Sequence, residues 1–142
     1  MKYDLRNLDF NYIVLKERIF MKEINAKNAP AAIGPYSQGF IVNGFIFTSG
    51  QLPADATTGD IPNGIEAQAE LSCQNIGAIL KEAGSDFQKV IKTTCYLANI
   101  KDFAAFNEVY AKYFVSRPAR SCFAVKDLPK GALCEIECVA EV

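Results

Sequence analysis

Apolar and polar positions along this chain follow two rhythms, and each predicts a different element. Ile65, Ala69, Cys73, Ile76 and Leu80 recur at helical spacing, with Ser72, Ile79 and Ala83 filling in, so a long helix is expected that Gly84 ends. Phe103, Phe106, Tyr110 and Tyr113 line one stripe of a second helix, with Asp102 as its N-cap and Pro118 precluding its continuation. Elsewhere the period is two. Phe123 and Val125 alternate with Cys122 and Ala124, Leu128-Pro129-Lys130-Gly131 supplies a turn, and alternation resumes from Leu133 to Val139. Pro118 to Glu137 therefore reads as two strands joined by a turn. Val90 to Leu97 is apolar or β-branched at nearly every position, the pattern of a strand covered on both sides.

The N-terminal part is strand and loop. Lys22 to Asn25 reads as a short strand, and Asn28 to Pro35 as a loop held by two prolines and Gly34, with Tyr36 at the loop-to-strand junction. Gln38 to Val42 and Phe45 to Ser49 flank Asn43-Gly44, a strong hairpin signal. Gly50 follows and can offer its backbone N–H with no side chain in the way. From Leu52 to Asn63 the prolines and Gly59 predict a surface loop. The order strand, hairpin, helix, strand, helix, two strands makes an α+β domain of two layers, a mixed six-stranded sheet with both helices on one face. That single domain is expected to span residues 21–142. Residues 1–20 resemble neither a signal nor a transit peptide, because Asp4, Asp9 and Glu17 interrupt them. Met21 is expected as the usual start and the upstream segment as an extension, with Tyr12–Leu15 as a candidate edge strand.

Period two also assigns faces. Arg120, Cys122 and Ala124 share one face of their strand; Leu133, Glu135, Glu137 and Val139 share one face of theirs, and Cys134, Ile136, Cys138 and Ala140 take the other. The cysteine-bearing face suits a helix layer. The uncovered sheet face, with Leu133 and Val139 beside two glutamates, needs a partner, so a homo-oligomer with sheet faces inward is expected. An arginine beginning one strand and a glutamate in its expected neighbour supply a guanidinium fork and an acceptor, the groups needed to hold and hydrolyse a small carboxylate. From these residues alone, an ion pair on a solvated sheet face is the plainer account. If both glutamates face inward they repel, so at least one should be paired or carry a raised pKa.

Composition narrows the chemistry. The chain has 142 residues, half of them hydrophobic, with 15 basic side chains against 16 acidic. This near balance disfavours a general nucleic-acid binder, and no stretch is long and apolar enough to span a membrane. The five cysteines lie in periodic segments with no Cys-x-x-Cys pair and read as reduced core residues of a cytoplasmic protein. Histidine is absent. Ser-His-Asp and Cys-His chemistry and the commonest zinc ligand are thereby removed, leaving carboxylate, phenol, guanidinium, thiol or backbone.

Pro118-Ala119-Arg120-Ser121-Cys122, followed by Leu128-Pro129-Lys130-Gly131-Ala132 and Glu135-Ile136-Glu137, resembles the C-terminal signature of the YjgF/RidA family of reactive-intermediate (enamine/imine) deaminases. Asn28 to Gly39, Phe47 to Gln51 and Val90 to Thr94 resemble the family's other motifs, so the likeness runs from about Lys22 to Val142. It implies a chorismate-mutase-like α+β fold, assembly as a homotrimer with active sites in clefts between subunits, and hydrolytic deamination of short 2-imino or 2-enamino acids such as 2-iminopropanoate and 2-iminobutanoate, without metal or organic cofactor. By position in these motifs, Arg120 is implied to bind the substrate carboxylate, Glu135 to position or activate water, and Tyr36 to orient water or stabilise the developing amine. Ser49, Gly50 and Asn107 are implied near the pocket. Cys122 is expected to contribute backbone and bulk, because nothing beside it in sequence would lower its pKa, and Glu137 to serve structure. The resemblance also carries a ribonuclease or translation-inhibitor alternative, weakened by the missing histidine and the net charge of −1, and a third possibility, keto-acid binding without turnover. Val115-Ser116-Arg117 is shorter than the matching segment in some family members, so a loop edging the cleft is expected to differ.

Overall fold

Asn43 and Gly44 turn the chain back on itself with φ of 50° and 82°, the two left-handed conformations that a two-residue type I′ turn requires and that Asn and Gly adopt most easily. The computed structural model describes residues 21–142. It places strand β2 (Gly39–Val42) before this turn and β3 (Phe45–Thr48) after it, with Val42 paired to Phe45. Strand β1 (Met21–Ile24) pairs antiparallel along the outer side of β2. The edge strand expected at Tyr12–Leu15 lies outside the described residues.

Helix α1 (Ile65–Glu82) buries the predicted stripe of Ile65, Ala69, Cys73, Ile76 and Leu80, and the chain leaves it through Gly84 at φ 80°. Helix α2 (Phe103–Tyr113) buries Phe106, Val109 and Tyr110. Its start differs from expectation. Asp102 already has helical backbone angles (φ −79°, ψ −4°) and makes no side-chain cap. A single 3₁₀ turn (Ile100–Asp102) precedes it, and Asn99, in extended conformation, accepts the Lys101 N–H at 3.0 Å through Oδ1. Capping needs a non-helical residue, and that residue is Asn99.

The remaining strands are β4 (Val90–Leu97), β5 (Ala119–Ala124) and β6 (Cys134–Glu141). Together they complete a six-stranded sheet in the order β1-β2-β3-β6-β4-β5. β5 runs parallel to β4, and every other pairing is antiparallel. The two strands read as neighbours joined by a turn are therefore not neighbours: β4 lies between them. β5 is reached from β4 through α2, and a strand returning from such a crossover pairs parallel with the strand it left. The segment from Val125 to Leu133 then carries the chain past the end of β4, where Val125 N–H donates to Leu97 O and Ala98 N–H to Leu133 O, both at 2.9 Å. Lys130 and Gly131, at φ 57° and 66°, redirect it into β6.

Both helices cover one face of this sheet. Ile46 of β3, Cys95 and Leu97 of β4, and Cys134, Ile136, Cys138 and Ala140 of β6 form a single core with the buried stripes of α1 and α2. The architecture is the two-layer α+β arrangement expected. Among the described residues, however, β4 is covered on one face only: Val90, Thr93, Cys95 and Leu97 are buried, while Lys92, Thr94 and Tyr96 are half-buried on the other side. Its apolar content is not explained, among the described residues, by two covering layers. The open face carries large apolar side chains, among them Phe45, Phe47 and Phe123 at 41%, 49% and 46% exposure. Phe123 meets Tyr96 edge to face with centroids 5.5 Å apart.

Candidate active site

Gln38 organises the first cluster. Its buried carboxamide accepts the Ala26 N–H at 2.6 Å and donates to the carbonyls of Ala26, Ala29 and Pro30 at 3.1, 3.3 and 2.8 Å. One side chain thus satisfies four backbone groups of the proline-bearing loop, which could not otherwise be buried without loss. The loop ends at Tyr36, 54% exposed, whose ring packs against Gly34. Ser49 is tied to the same junction: its N–H donates to Gln38 O at 2.8 Å and its hydroxyl to Ser37 O at 2.5 Å. The Ser49 hydroxyl therefore holds the loop.

Gly50 comes next, and Gln51 is stapled to β6 by reciprocal backbone hydrogen bonds with Ile136 at 2.7 and 3.2 Å. That staple sets Gly50 directly over the Glu135 carboxylate. A β-carbon at Gly50 would stand 2.0 Å from Glu135 Oε1, closer than any real contact, so glycine lets the Glu135 carboxylate keep this position. Burial, and secondarily the charge of Glu137, push the Glu135 carboxyl above its ordinary 4.5. Glu137 instead accepts the Tyr96 hydroxyl at 3.2 Å. Tyr36, Ser49, Gly50, Lys130, Glu135 and Glu137 line a groove of about 740 Å³.

Arg120 belongs to a second cluster. It is level with buried Thr93 in the β4–β5 register, whereas Glu135 is level with Tyr96 in the β4–β6 register. Because β4 alternates, the arginine stands on the helix face and the glutamate on the open face. The fork and the acceptor expected on adjacent strands are thus separated within one chain by a strand and by the thickness of the sheet. Arg120 is set by α2: Nη1 donates to Asn107 Oδ1 at 2.6 Å, and the guanidinium lies 4.7 Å from the Tyr110 ring centroid and 5.5 Å from that of Phe103. The Tyr110 hydroxyl bonds in turn to Thr93 Oγ1 at 2.7 Å. Its second groove, about 840 Å³, is lined by Asn107, Tyr110, Phe114, Arg117 and Arg120 among others.

Cys122 follows Arg120 on the same face and pairs with Cys95 of β4. Its thiol is lowered, first by a hydrogen bond from Cys95 and then by the Arg120 charge, while the Cys95 thiol is raised. Cys95 acts from across the register, but Arg120 acts from two residues away on the same face of the strand, so the expectation that nothing beside Cys122 in sequence lowers its pKa does not hold. All five cysteines are free thiols. Among the described residues, no three His, Cys, Asp or Glu side chains converge as a metal site, and no helix is long and apolar enough to cross a membrane.

The predicted residues thus fall into two halves, Tyr36, Ser49, Gly50 and Glu135 in one, Arg120, Asn107 and Cys122 in the other. Sequence reasoning missed Gln38 and Gln51. Gln38 does carry a signal, a buried-phase amide directly after a loop rich in proline and glycine, with carbonyls that need donors.

Residues 26–142 match the family model described as Endoribonuclease L-PSP. A Lactococcus lactis protein named as a regulator, AldR, is 56% identical over 124 residues, 86% of this chain and 98% of that protein. The 2-iminobutanoate/2-iminopropanoate deaminase of Capra hircus is 50% identical over 119 residues, covering 82% of this chain and 87% of its own length. Among solved structures, E. coli TdcF with bound serine superposes with a TM-score of 0.82 at 42% identity, over 85% of this chain and 98% of that one.

Proposed function

This chain belongs to the Endoribonuclease L-PSP (YjgF/RidA) family, and from that premise we propose that it hydrolyses short 2-imino and 2-enamino acids to 2-keto acids and ammonia. The reaction takes place in clefts of a homotrimer, each formed by the Arg120 half of one subunit and the Glu135 half of the next. The observation that carries this is the separation of the two halves onto opposite faces of the sheet, together with an apolar open face that a second copy would cover. Relatives of known name point the same way: the goat deaminase is 50% identical, and TdcF holds serine, a small amino acid with the same carboxylate handle.

In the proposed cleft, the guanidinium of Arg120, which among the described residues gives one hydrogen bond, to Asn107, takes the substrate carboxylate as a fork. Water adds to the imine carbon, forming the C–O bond as the C=N π pair moves to nitrogen. Proton transfer from oxygen to nitrogen then precedes C–N cleavage. Both water hydrogens end on nitrogen, and the products are the keto acid and ammonia. Glu135, whose carboxyl is held above the ordinary range, takes a proton from water and returns it to nitrogen more readily than an ordinary carboxylate would. Tyr36 directs its phenol at the same atoms.

Subunit mixing tests the cleft. Arg120→Ala and Glu135→Gln are each expected to abolish the acceleration of 2-iminobutanoate hydrolysis, read as ammonia release. When the two are unfolded and refolded together, about one cleft in four regains both groups, and activity should return in that proportion. A site contained within one chain would recover nothing. Keto-acid binding without turnover is the second reading, favoured by the 56% identity to a protein named as a regulator. Tight binding of 2-oxobutanoate by a wild type that releases no ammonia would establish it.

A further inference from the structure

The groove around Arg120 is lined by a second arginine. Arg117 and Arg120 both line it, and among the described residues no aspartate or glutamate does. Arg120 is engaged by a neutral amide, Asn107, so neither that contact nor the aromatic rings beside it cancels its charge. One substrate carboxylate balances one of the two cations, and within this half of the cleft no carboxylate of the described residues balances the other.

The backbone holds Arg117 there. Its φ of 53° lies in the left-handed region, which an arginine enters only where its surroundings fix it. Two contacts do so: Arg117 N–H donates to Phe114 O at 3.1 Å, and the Ser116 hydroxyl donates to Val90 O at 2.8 Å. The short connection between α2 and β5 leaves no slack to carry this side chain away. Three residues of extended chain span at most about 10 Å. The α-carbons of Arg117 and Arg120 therefore lie within about 10 Å of each other, close enough for both side chains to reach the two carboxylates of one four- or five-carbon diacid.

We infer that Arg117 binds a second carboxylate, so that the substrates this site prefers are 2-imino dicarboxylic acids. The inference rests on the deaminase reading for the role of Arg120 and extends it to the far end of the substrate. The reaction is unchanged, and the distal carboxylate takes no part in bond making.

The test compares 2-iminosuccinate and 2-iminoglutarate with 2-iminobutanoate, each generated in situ from its amino acid by an amino-acid oxidase. Wild type is expected to favour the diacids in kcat/KM by about tenfold or more, the lower end for one charge-assisted contact. Arg117→Gly, a residue at ease at this φ, should bring the ratio close to one through a higher KM for the diacids. Arg117→Lys, which keeps the charge and loses the fork, should retain part of the preference. A ratio unchanged in Arg117→Gly, or a wild type that prefers the monoacid, overturns the inference and leaves the deaminase reading intact. Should wild type hydrolyse neither class, that reading fails by itself. Calorimetric binding of 2-oxoglutarate against 2-oxobutanoate then decides the role of Arg117: a preference lost in Arg117→Gly supports it, and equal affinities refute it.

Discussion

At Gly50 the requirement for glycine is one of space: a β-carbon would meet the Glu135 carboxylate at 2.0 Å. Gly50→Ala must therefore displace Glu135, and a misplacement of this order costs about a hundredfold in rate. Expected is a hundredfold fall in kcat/KM for ammonia release, with a melting temperature that shows the fold intact. Glu135 itself links the site to stability. Its carboxyl is raised above 4.5 by burial first and by Glu137 second, so the folded protein binds its proton more tightly than the unfolded chain does. That contribution is complete below the ordinary carboxylate range and is lost as pH rises through the elevated pKa. Glu135→Gln should consequently melt higher relative to wild type at pH 7 than at pH 4, and a constant difference across that range would contradict the assignment. That one of two inward carboxylates must be raised or paired was legible in Glu135-Ile136-Glu137. Which one was not, because the answer depends on Tyr96 donating to Glu137 from a strand far away in sequence.

Elements were legible where one face does all the burying. The stripe from Ile65 to Leu80 and the turn at Asn43-Gly44 are local signals, and both elements form as their periodicity requires. The start of α2 was misjudged because Asn99 and Asp102 are both good capping residues and only backbone geometry separates them. Asn99→Ala should cost about 1 kcal/mol in chemical denaturation, and Asp102→Ala appreciably less; equal losses would show that the 3₁₀ turn adds nothing. The pairing of Pro118–Glu137 as a hairpin failed for a different reason. Alternation fixes which residues share a face but contains no information on which strand lies alongside, and β4 enters that space from outside the window. Helix α2 connects this error to the site, since the face that buries Phe106 also turns Asn107 toward Arg120.

For the whole molecule, the open face of the sheet is the determining feature. Phe45, Phe47 and Phe123 are exposed on it at 41% to 49%; alternation marked this face as needing a partner through Leu133 and Val139, without these three residues. Phe47→Lys would place a charge in the middle of the proposed contact. It is expected to give a folded monomer by light scattering and circular dichroism, with ammonia release reduced to background; a trimer of full activity would sink the proposed assembly. What the chain could not reveal by pattern is that Arg120 and Glu135 stand back to back, because opposite sides of a sheet differ by the parity of a register that is set only on folding.

That back-to-back placement has a kinetic corollary. In the proposed assembly an isolated chain owns no complete catalytic centre, so turnover per molecule is not a constant of the polypeptide. It falls as the protein is diluted below the concentration at which subunits stay together, and newly synthesised copies remain silent until they meet others. Abundance itself thus becomes the control: a threshold of expression, with no effector bound, separates inactive chains from working catalyst.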